Sequence, residues 1–276
     1  MSAGAGGAGE PPKHPREWDA GTYHRVSTPQ QKWGQHVLER LVLHGGEHVL
    51  DAGCGTGRVT LALHARVEAA GGRVTALDRS VEMSRIARRT LPAGVPVVAA
   101  DLLALPFRSA FDVLFSTATF HWVLDPAALY AAAARVLRPA GRLHAQCGGA
   151  GNLARFHARA QALATTPRFA ARFSPWSDPW LFLPPEDAER HLLAAGFASV
   201  RAWLDPEPTP FASRDDFRVF IERVVLGAWM ARFADAPQEA AAFLDALCDA
   251  AAADEQPFLL DYVRLNLEAA LPEERP

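Results

Sequence analysis

The chain is short of cysteine and of positive charge, and each shortage excludes a class of protein. Only three of its 276 residues are cysteines (Cys54, Cys147 and Cys248), and no CxxC or Cys/His spacing joins them. Neither a disulfide framework nor a metal site is therefore expected. Lysine and arginine number 28 against 31 acidic residues, a formal net charge of -3, whereas nucleic-acid-binding proteins usually carry a clear positive excess. We predict no nucleic-acid partner.

Long apolar runs are also missing. No stretch reaches the roughly 18 charge-free apolar residues that a membrane span requires, so no membrane association is predicted. Residues 1–17 are rich in Gly, Ala and Pro and lead into no apolar segment, which predicts a disordered tail rather than a signal peptide. A cytoplasmic protein with no obligate protein partner is the resulting expectation.

Short apolar segments alternate with helical patterns up to about residue 147. Strands are predicted at residues 48–53, 73–78, 96–100, 111–116 and 142–146, and helices at 29–43, 59–67, 83–91 and 129–137. This alternation predicts an α/β fold with a doubly wound, mostly parallel sheet. The strands are continuously apolar, which is typical of strands buried on both faces.

The second half of the chain has a different pattern, mainly helical. Its predicted elements are helical residues 150–195, a strand at Ser199–Leu204, an amphipathic helix at 213–233 capped by Ser213 and Asp216, a helix at Gln238–Ala252 and a last edge strand at Tyr262–Glu268. The predicted division is a tail (1–17), an N-terminal helical lid (18–45), a cofactor-binding core (46–148), and helical cap insertions with the last two strands (149–276).

A glycine-rich turn follows the first predicted strand. Gly53, Gly55 and Gly57 give the spacing G-x-G-x-G. The dinucleotide fingerprint is G-x-G-x-x-G, which requires a glycine at the position that Arg58 occupies here. Asp51 precedes the first glycine. A carboxylate there would repel a phosphate but attract a cationic ligand. The turn therefore predicts a ligand with a positive end rather than a pyrophosphate.

Two further acids end the next two strands. Asp78 is well placed to accept hydrogen bonds from ribose hydroxyls, and Asp101 from an adenine amino group. Each alone could instead cap the helix or turn that follows it. Carboxyl ends of parallel strands meet at one edge of a sheet, so we expect both acids near Asp51.

These segments resemble the ordered motifs of class I S-adenosylmethionine-dependent methyltransferases. The matching segments are Val49–Thr60, Thr75–Ser80, Ala99–Phe107 and Phe111–Trp122. The resemblance implies a seven-stranded Rossmann-like fold and S-adenosylmethionine as cofactor. The cofactor-binding residues it implies are Asp51, Gly53 and Gly55 at the methionine end, Asp78 at the ribose, Asp101 and Leu102 at the adenine, Ser116 and Thr117 under the sulfonium, and Gly57, Arg79 and Met83 beside them.

A narrower resemblance is to the trans-aconitate methyltransferase group. It rests on Trp18-Asp19 and Tyr23 ahead of the first helix, on the segment 111–123 and on Gly148–Arg159. Where that group commonly has Gln before Trp, this chain has His121, which leaves the acceptor open. A carboxylate, a hydroxyl, and a natural-product or quinone-like acceptor methylated on oxygen or carbon all remain.

Several side chains are candidates for the reaction itself. His121 could be the general base for an acceptor that must lose a proton, or simply pack beside Trp122. Tyr23 and Trp33 could close over the cofactor, or merely pack the first helix. Two larger sets are open: arginines that could bind an acceptor carboxylate or lie on the surface (Arg25, Arg172, Arg232), and aromatic residues that could line a pocket (Trp176, Trp180, Phe182, Trp229).

Three functions are alternatives to a small-molecule methyltransferase. A nicotinamide-dependent oxidoreductase is disfavoured by the glycine spacing and by Asp51. A nucleic-acid methyltransferase is disfavoured because residues 116–119 lack the prolines typical of base methylation. A non-catalytic protein that keeps the cofactor fold as a binding module is the alternative from a different class.

Overall fold

The computed structural model describes residues 28–274, and its main feature is a seven-stranded sheet. Its strands are β1 His48–Ala52, β2 Arg73–Asp78, β3 Val97–Ala99, β4 Phe111–Thr117, β5 Leu137–Gly148, β6 Ser199–Pro206 and β9 Val263–Ala270, and a separate pair joins β7 Thr209–Pro210 to β8 Leu259–Leu260. The order is β3-β2-β1-β4-β5-β9-β6, and β9 alone runs opposite to the other six strands. The predicted doubly wound, mostly parallel sheet is confirmed.

The last long strand lies inside the sheet, where an edge strand was predicted. β9 pairs with β5 on one side and with β6 on the other. Its polar residues Arg264 and Asn266 alternate with Leu265 and Leu267, and all four are buried. The edge prediction was wrong because β6 pairs with the outer side of β9.

Helices cover both faces of the sheet. They are α1 Thr28–Arg40, α2 Arg58–Ala69, α3 Val81–Thr90, α4 Pro126–Val136, α5 Ala154–Ala164, α6 Pro185–Ala194, α7 Arg214–Phe220, α8 Gly227–Met230 and α9 Pro237–Ala252. Leu38 of α1 and Leu63 of α2 pack on one face, and Leu129 of α4 and Leu192 of α6 pack on the other. We call the side covered by α1 the α1 face.

A second core lies outside the sheet and joins α5 to the helices between β6 and β9. It is rich in aromatic side chains, among them Phe156, Phe173, Phe217, Trp229 and Phe243. We call this region the cap. Its separate apolar core lets the cap pack as a unit beside the sheet.

The helix predicted at 213–233 is not continuous. Its start is as predicted, because the hydroxyl of Ser213 accepts the backbone N–H of Asp216 at 3.1 Å. After α7 the chain forms a π-helical turn at Ile221–Val225 and then restarts at Gly227. Leu226, between the two, has a backbone conformation outside the helical region, and a π-helical turn shifts the hydrogen-bond register. Apolar periodicity alone does not reveal such a shift.

Two features are absent from residues 28–274. None of their helices is long and apolar enough to cross a bilayer. No group of three or more His, Cys, Asp or Glu side chains in this part of the chain could hold a metal ion. The three thiols are buried and form no disulfide.

Candidate active site

The turn between β1 and α2 requires backbone conformations that favour glycine. Gly53 and Gly55 have φ angles of +89° and +53°, and Gly57 has +83°. The N–H of Gly53 donates to the Leu77 carbonyl at 2.7 Å, and the N–H of Gly55 donates to the Asp78 carboxylate at 2.9 Å. The turn is therefore tied to the end of β2, and its uncovered backbone can approach a ligand closely.

A side chain fits least at Gly53. An ideal Cβ there would lie 2.2 Å from Oγ1 of Thr119, whereas a Cβ at Gly55 would meet no atom within 4 Å. We expect Gly53→Ala to lower the free energy of unfolding by about 2–4 kcal/mol, through backbone strain and the clash together. Gly55→Ala, the matched control, should cost only about 1 kcal/mol. Urea unfolding of both variants measures the difference, and equal losses would contradict the close packing on Thr119.

Asp51 is a buried acid at the end of β1. Its side chain is 2% exposed and accepts a hydrogen bond from the Thr60 hydroxyl at 2.7 Å. Burial raises the pKa of Asp51 to about 7, the charge of Asp78 adds to the rise, and the Thr60 bond opposes it. A cationic ligand group beside Asp51 would restore the charged form.

Asp78 occupies the corresponding position at the end of β2. Its carboxylate accepts the backbone N–H groups of Ser80 at 2.8 Å and of Gly55 at 2.9 Å. Burial raises the pKa of Asp78, while these two hydrogen bonds act to lower it. The carboxylate is thereby fixed in orientation beside the glycine turn.

The residues predicted for the adenine end lie at the same edge of the sheet. Oδ2 of Asp101, after β3, is 3.8 Å from Nη1 of Arg79, after β2. Leu102 and Met83 are buried near these strand ends. Because β2 and β3 are parallel neighbours, Asp78 and Asp101 come together as the sequence led us to expect.

A cleft of about 450 Å³ opens between the glycine turn and the end of β4. Four of the predicted residues line it: Asp51, Gly53, Gly55 and Thr117. Its other lining residues, which were not among the predicted site residues, are Gln31, Cys54, Thr56, Arg58, Val59 and Ala118. A buried carboxylate and open space beside Gly55 fit S-adenosylmethionine, whose methionine end carries positive charge.

The side chains of Ser116 and Thr117 do not share a face of the sheet, although both residues were predicted under the sulfonium. Ser116 is 1% exposed, and its hydroxyl donates to the Ala52 carbonyl at 2.6 Å. Successive side chains of a strand point to opposite faces, so only Thr117 reaches the cleft.

Of the two aromatic residues predicted to close over the cofactor, only Trp33 is among the described residues. Tyr23 lies outside the described residues. Trp33 is buried in α1, with its ring centroid 4.6 Å from that of Tyr262 and 4.4 Å from the guanidinium of Arg264. Trp33 therefore covers Arg264 on the α1 face and is not one of the cleft residues.

His121 lies in the helical turn Phe120–Trp122, just after β4. Its Nδ1 accepts the backbone N–H of Gly148, at the end of β5, at 3.2 Å. Burial and the nearby charge of Arg264 lower the pKa of His121 well below its usual range. The ring is then neutral with its proton on Nε2, where it can donate a hydrogen bond but has no lone pair to accept a proton. This geometry favours positioning over general-base catalysis.

Two of the three arginines proposed from sequence for binding a carboxylate lie on the cap. Arg172 pairs with Asp235 and Glu239 on the cap. Arg232 donates to the backbone carbonyl of Pro175. Arg25 lies outside the described residues. Long charged side chains on the cap are engaged with local acids and carbonyls rather than with the cleft.

Arg264 is a residue that the sequence patterns did not single out. Its side chain is 2% exposed, and in the sheet it stands opposite Gly148 of β5 and Asp205 of β6. Residues paired directly across two strands point to the same face of the sheet. Arg264 therefore lies on the α1 face, beside Gly148, whose N–H binds His121. An arginine between two apolar residues of a strand could have drawn attention in the sequence, because arginine is rarely fully buried unless it is paired.

The four aromatic residues proposed as a pocket separate into two pairs. Trp176 and Trp229 pack in the cap with ring centroids 4.6 Å apart. Phe182 lies near the sheet edge, 5.7 Å from the ring of His121, and Trp180 is 5.9 Å from Phe182. Only the second pair lies near His121.

Comparison with known proteins agrees with this geometry. Residues 50–145 match the family described as "Methyltransferase domain". The trans-aconitate 2-methyltransferase of Methylobacterium nodulans is 35% identical over 189 residues, 68% of this chain and 67% of the relative. An uncharacterized methyltransferase of Schizosaccharomyces pombe is 28% identical over 211 residues, 68% of this chain and 79% of the relative. Against other trans-aconitate 2-methyltransferases, such as that of Acidovorax ebreus, the chain spans about half of the relative's length (49%).

A solved structure shares the fold. The phosphoethanolamine N-methyltransferase 2 of Haemonchus contortus in complex with S-adenosyl-L-methionine superposes with a TM-score of 0.56 at 17% identity, covering 92% of this chain and 57% of that one. With the family match, the 35% identical relative and the acids gathered around the glycine turn, the chain belongs to the class I S-adenosylmethionine-dependent methyltransferases.

Proposed function

We propose that the chain methylates a carboxylate oxygen of a small-molecule acceptor. The observation that carries the proposal is Arg264, the one lysine or arginine within residues 31–274 whose side chain is buried. A guanidinium presents paired N–H donors that match the two oxygens of a carboxylate. The relatives named for trans-aconitate, an organic acid, support the same acceptor group.

The position of Arg264 relative to the cleft supports this role. Thr117 of the cleft stands beside Gln146 of β5, and Gln146 stands opposite Asn266, two residues from Arg264 along β9. With strands about 4.8 Å apart, the backbone of Arg264 lies about 12 Å from that of Thr117. This separation is comparable to an arginine side chain and a small acceptor laid end to end.

A carboxylate acceptor matches the groups that the site offers. Its oxygens are ionised at neutral pH, so no base is needed. Arg264 can bind both oxygens through one lone pair each, which leaves the second lone pair of one oxygen to face the cleft. The Nε2–H group of His121 can donate a second hydrogen bond, and Trp33 shields Arg264 from water. S-Adenosylmethionine, when bound, supplies a methyl group activated by its positive sulfur.

The test is methyl transfer itself. The protein is incubated with methyl-labelled S-adenosylmethionine and a panel of carboxylic acids, phenols, alcohols, amines and enolisable carbonyl compounds, and the products are identified by mass spectrometry. We expect label in a methyl ester, which mild alkali releases as methanol. Label on a hydroxyl, nitrogen or carbon atom would contradict the proposal. Cofactor binding without transfer to any acceptor would support the non-catalytic alternative.

A His121→Asn variant separates the two roles of the imidazole in the same assay. If His121 only positions the acceptor, we expect turnover to fall less than about tenfold, with an unchanged pH profile, since one hydrogen bond is lost. If His121 is the general base, turnover should fall by about 100-fold or more, which is the contribution of a base to such a step. The latter result would favour a hydroxyl or carbon acceptor.

A further inference from the structure

Asn152 lies in the turn that joins β5 to α5, at the same edge of the sheet as the cofactor cleft. Its side chain is 4% exposed. The backbone N–H of Val263 donates to Oδ1 of Asn152 at 3.1 Å, and the backbone N–H of Asn152 donates to the Gly149 carbonyl at 2.9 Å. These two hydrogen bonds fix the side-chain amide, with its oxygen towards β9 and its Nδ2 group turned the other way.

The Nδ2 group of Asn152 faces the space above Gly148. A Cβ on Gly148 would lie 3.0 Å from Nδ2 of Asn152 and 2.5 Å from Cε1 of Phe182. An aromatic ring accepts hydrogen bonds only weakly, and Nδ2 donates to no residue within 28–274. Leaving a buried amide donor without a partner is costly, so this donor indicates a ligand that accepts its hydrogen bond.

Arg264 faces the same space from β9. It stands opposite Gly148, and side chains paired in this way point to one face of the sheet, with Cβ atoms about 5 Å apart. Nδ2 of Asn152 therefore lies within about 8 Å of Cβ of Arg264, a distance that the arginine side chain and one carboxylate can span. An amide donor and a guanidinium that share one space suit an anion with two oxygens.

A carboxylate bound there has a lone pair left for Asn152. It offers about four lone pairs, of which Arg264 takes one on each oxygen and one faces the cleft. The fourth lies on the oxygen that is not methylated, and a donor to it holds the carboxylate in the reactive orientation. Nδ1 of His121 accepts the N–H of Gly148, so the Nε2–H group lies on the far side of that ring and is left for another part of the acceptor.

We infer that Asn152 binds the acceptor carboxylate together with Arg264, by donating a hydrogen bond from Nδ2 to the oxygen that is not methylated. This inference rests on the proposed carboxylate methylation and adds a residue that determines the specificity of the same site. A carboxamide in place of the carboxylate would bring its own NH2 group against one of two donors, so the site should discriminate an acid from its neutral amide.

The first experiment observes the amide of Asn152 directly. The chain contains only two asparagines, Asn152 and Asn266, so labelling asparagine with nitrogen-15 gives two side-chain amide signals in the NMR spectrum. With S-adenosylhomocysteine present, we expect benzoate, crotonate or trans-aconitate to move the Asn152 amide proton to higher frequency, because it gains a charged acceptor. Asn266, whose Nδ2 already donates to Asp205 at 2.9 Å, is the internal control and should move much less. Benzamide and crotonamide should leave both signals in place.

The second experiment reverses the polarity of this group. Asn152→Asp keeps an oxygen for Val263 but replaces the Nδ2 donor by a negative charge. We expect its affinity for benzoate, measured by calorimetry, to fall about 30-fold or more through repulsion between like charges. Its affinity for benzamide should hold or rise, since the NH2 group can donate to the new carboxylate, whereas a merely structural role would lower both affinities together.

Gln161→Glu is the matched control. It makes the same change of amide to acid on α5, at an exposed position where Gln161 donates to Asp178 on the cap. We expect it to alter the affinities for benzoate and benzamide less than about twofold, as is usual for an exposed charge.

The outcomes distinguish this inference from the proposed function. If the wild-type protein binds and esterifies one of the three acids, but the Asn152 signal stays in place and Asn152→Asp keeps its affinity, the inference is overturned and carboxylate methylation stands. If Asn152→Asp fails to fold, Asn266→Gln assigns the remaining amide signal to Asn152, and the titration of the wild-type protein decides. If none of the three acids binds the wild-type protein, the inference and the proposed function fall together.

Discussion

Asp51→Asn is expected to weaken S-adenosylmethionine binding about 30-fold or more while making the cofactor-free protein more stable. The loss of affinity follows because the variant removes a buried negative charge from the predicted site of a cationic ligand. The gain in stability follows because burial disfavours the charged carboxylate in the absence of the ligand. Opposite effects of one substitution on binding and on folding are typical of a functional group held at a cost.

The sign of the stability effect depends on pH. The pKa of Asp51 is about 7 in the folded protein, against an ordinary 3.8. The folded state therefore keeps a proton that the unfolded chain has lost, and stability falls as pH rises from about 4 to about 7, then stays low. Asparagine cannot lose this proton, so at pH 8 its free energy of unfolding should exceed that of the wild type by roughly 1–4 kcal/mol. Urea unfolding of both proteins across this range measures the difference.

The carboxyl group of Asp51 should also make cofactor binding depend on pH. A cationic ligand favours the charged form of Asp51, so wild-type affinity should rise with pH up to about 7 and then level off. Calorimetry in two buffers of different ionisation enthalpy should detect proton release below that pH, and Asp51→Asn should show less of it. Equal affinity and equal proton release in the two proteins would remove Asp51 from the cofactor site.

Arg264→Gln is expected to lower kcat/KM for the carboxylate acceptor by about 100- to 1,000-fold while S-adenosylmethionine binds as before. Removing one partner of a buried charge pair costs about 2–5 kcal/mol, and most of this loss should appear in the step that uses the acceptor. Initial rates with the labelled cofactor measure kcat/KM, and calorimetry measures cofactor affinity.

Arg201→Gln is the matched control for this variant. Arg201 also stacks on a tryptophan, with its guanidinium 4.4 Å from the ring of Trp203, but it is exposed and lies on β6. We expect its substitution to change kcat/KM less than about twofold, as is usual for an exposed charge. Unchanged kcat/KM in folded, cofactor-binding Arg264→Gln would remove Arg264 from acceptor binding. Arg264→Lys keeps the charge but not the paired donors. Its kcat/KM should lie between that of Arg264→Gln and that of Arg201→Gln.

Local patterns were enough to predict the sheet and the three acids at its edge. A strand, a glycine turn and a helix are neighbours in sequence, so Asp51, Gly53 and Gly55 come together through short-range geometry alone. Asp78 and Asp101 follow because each ends its own strand and parallel strands share an edge. Alternation of strands and helices is likewise a local signal, and it yielded the fold class.

The acceptor side could not be predicted in the same way. Arg264 is more than 100 residues from Gly148, and only the insertion of β9 between β5 and β6 brings them together. The sequence analysis predicted that strand at an edge, and no local pattern reveals its pairing with β6. The helix that covers the α1 face carries Trp33, which therefore packs on Arg264 and not over the cleft.

The sequence by itself determined the parallel sheet, the glycine turn and the cluster of carboxylates, because these depend on residues that are close along the chain. Only the tertiary structure decided that His121 accepts the N–H of Gly148 and presents a donor, and that Ser116 faces away from the cleft. It also decided which of the arginines is buried. These features depend on strand order and on contacts between distant segments, and no local periodicity encodes either.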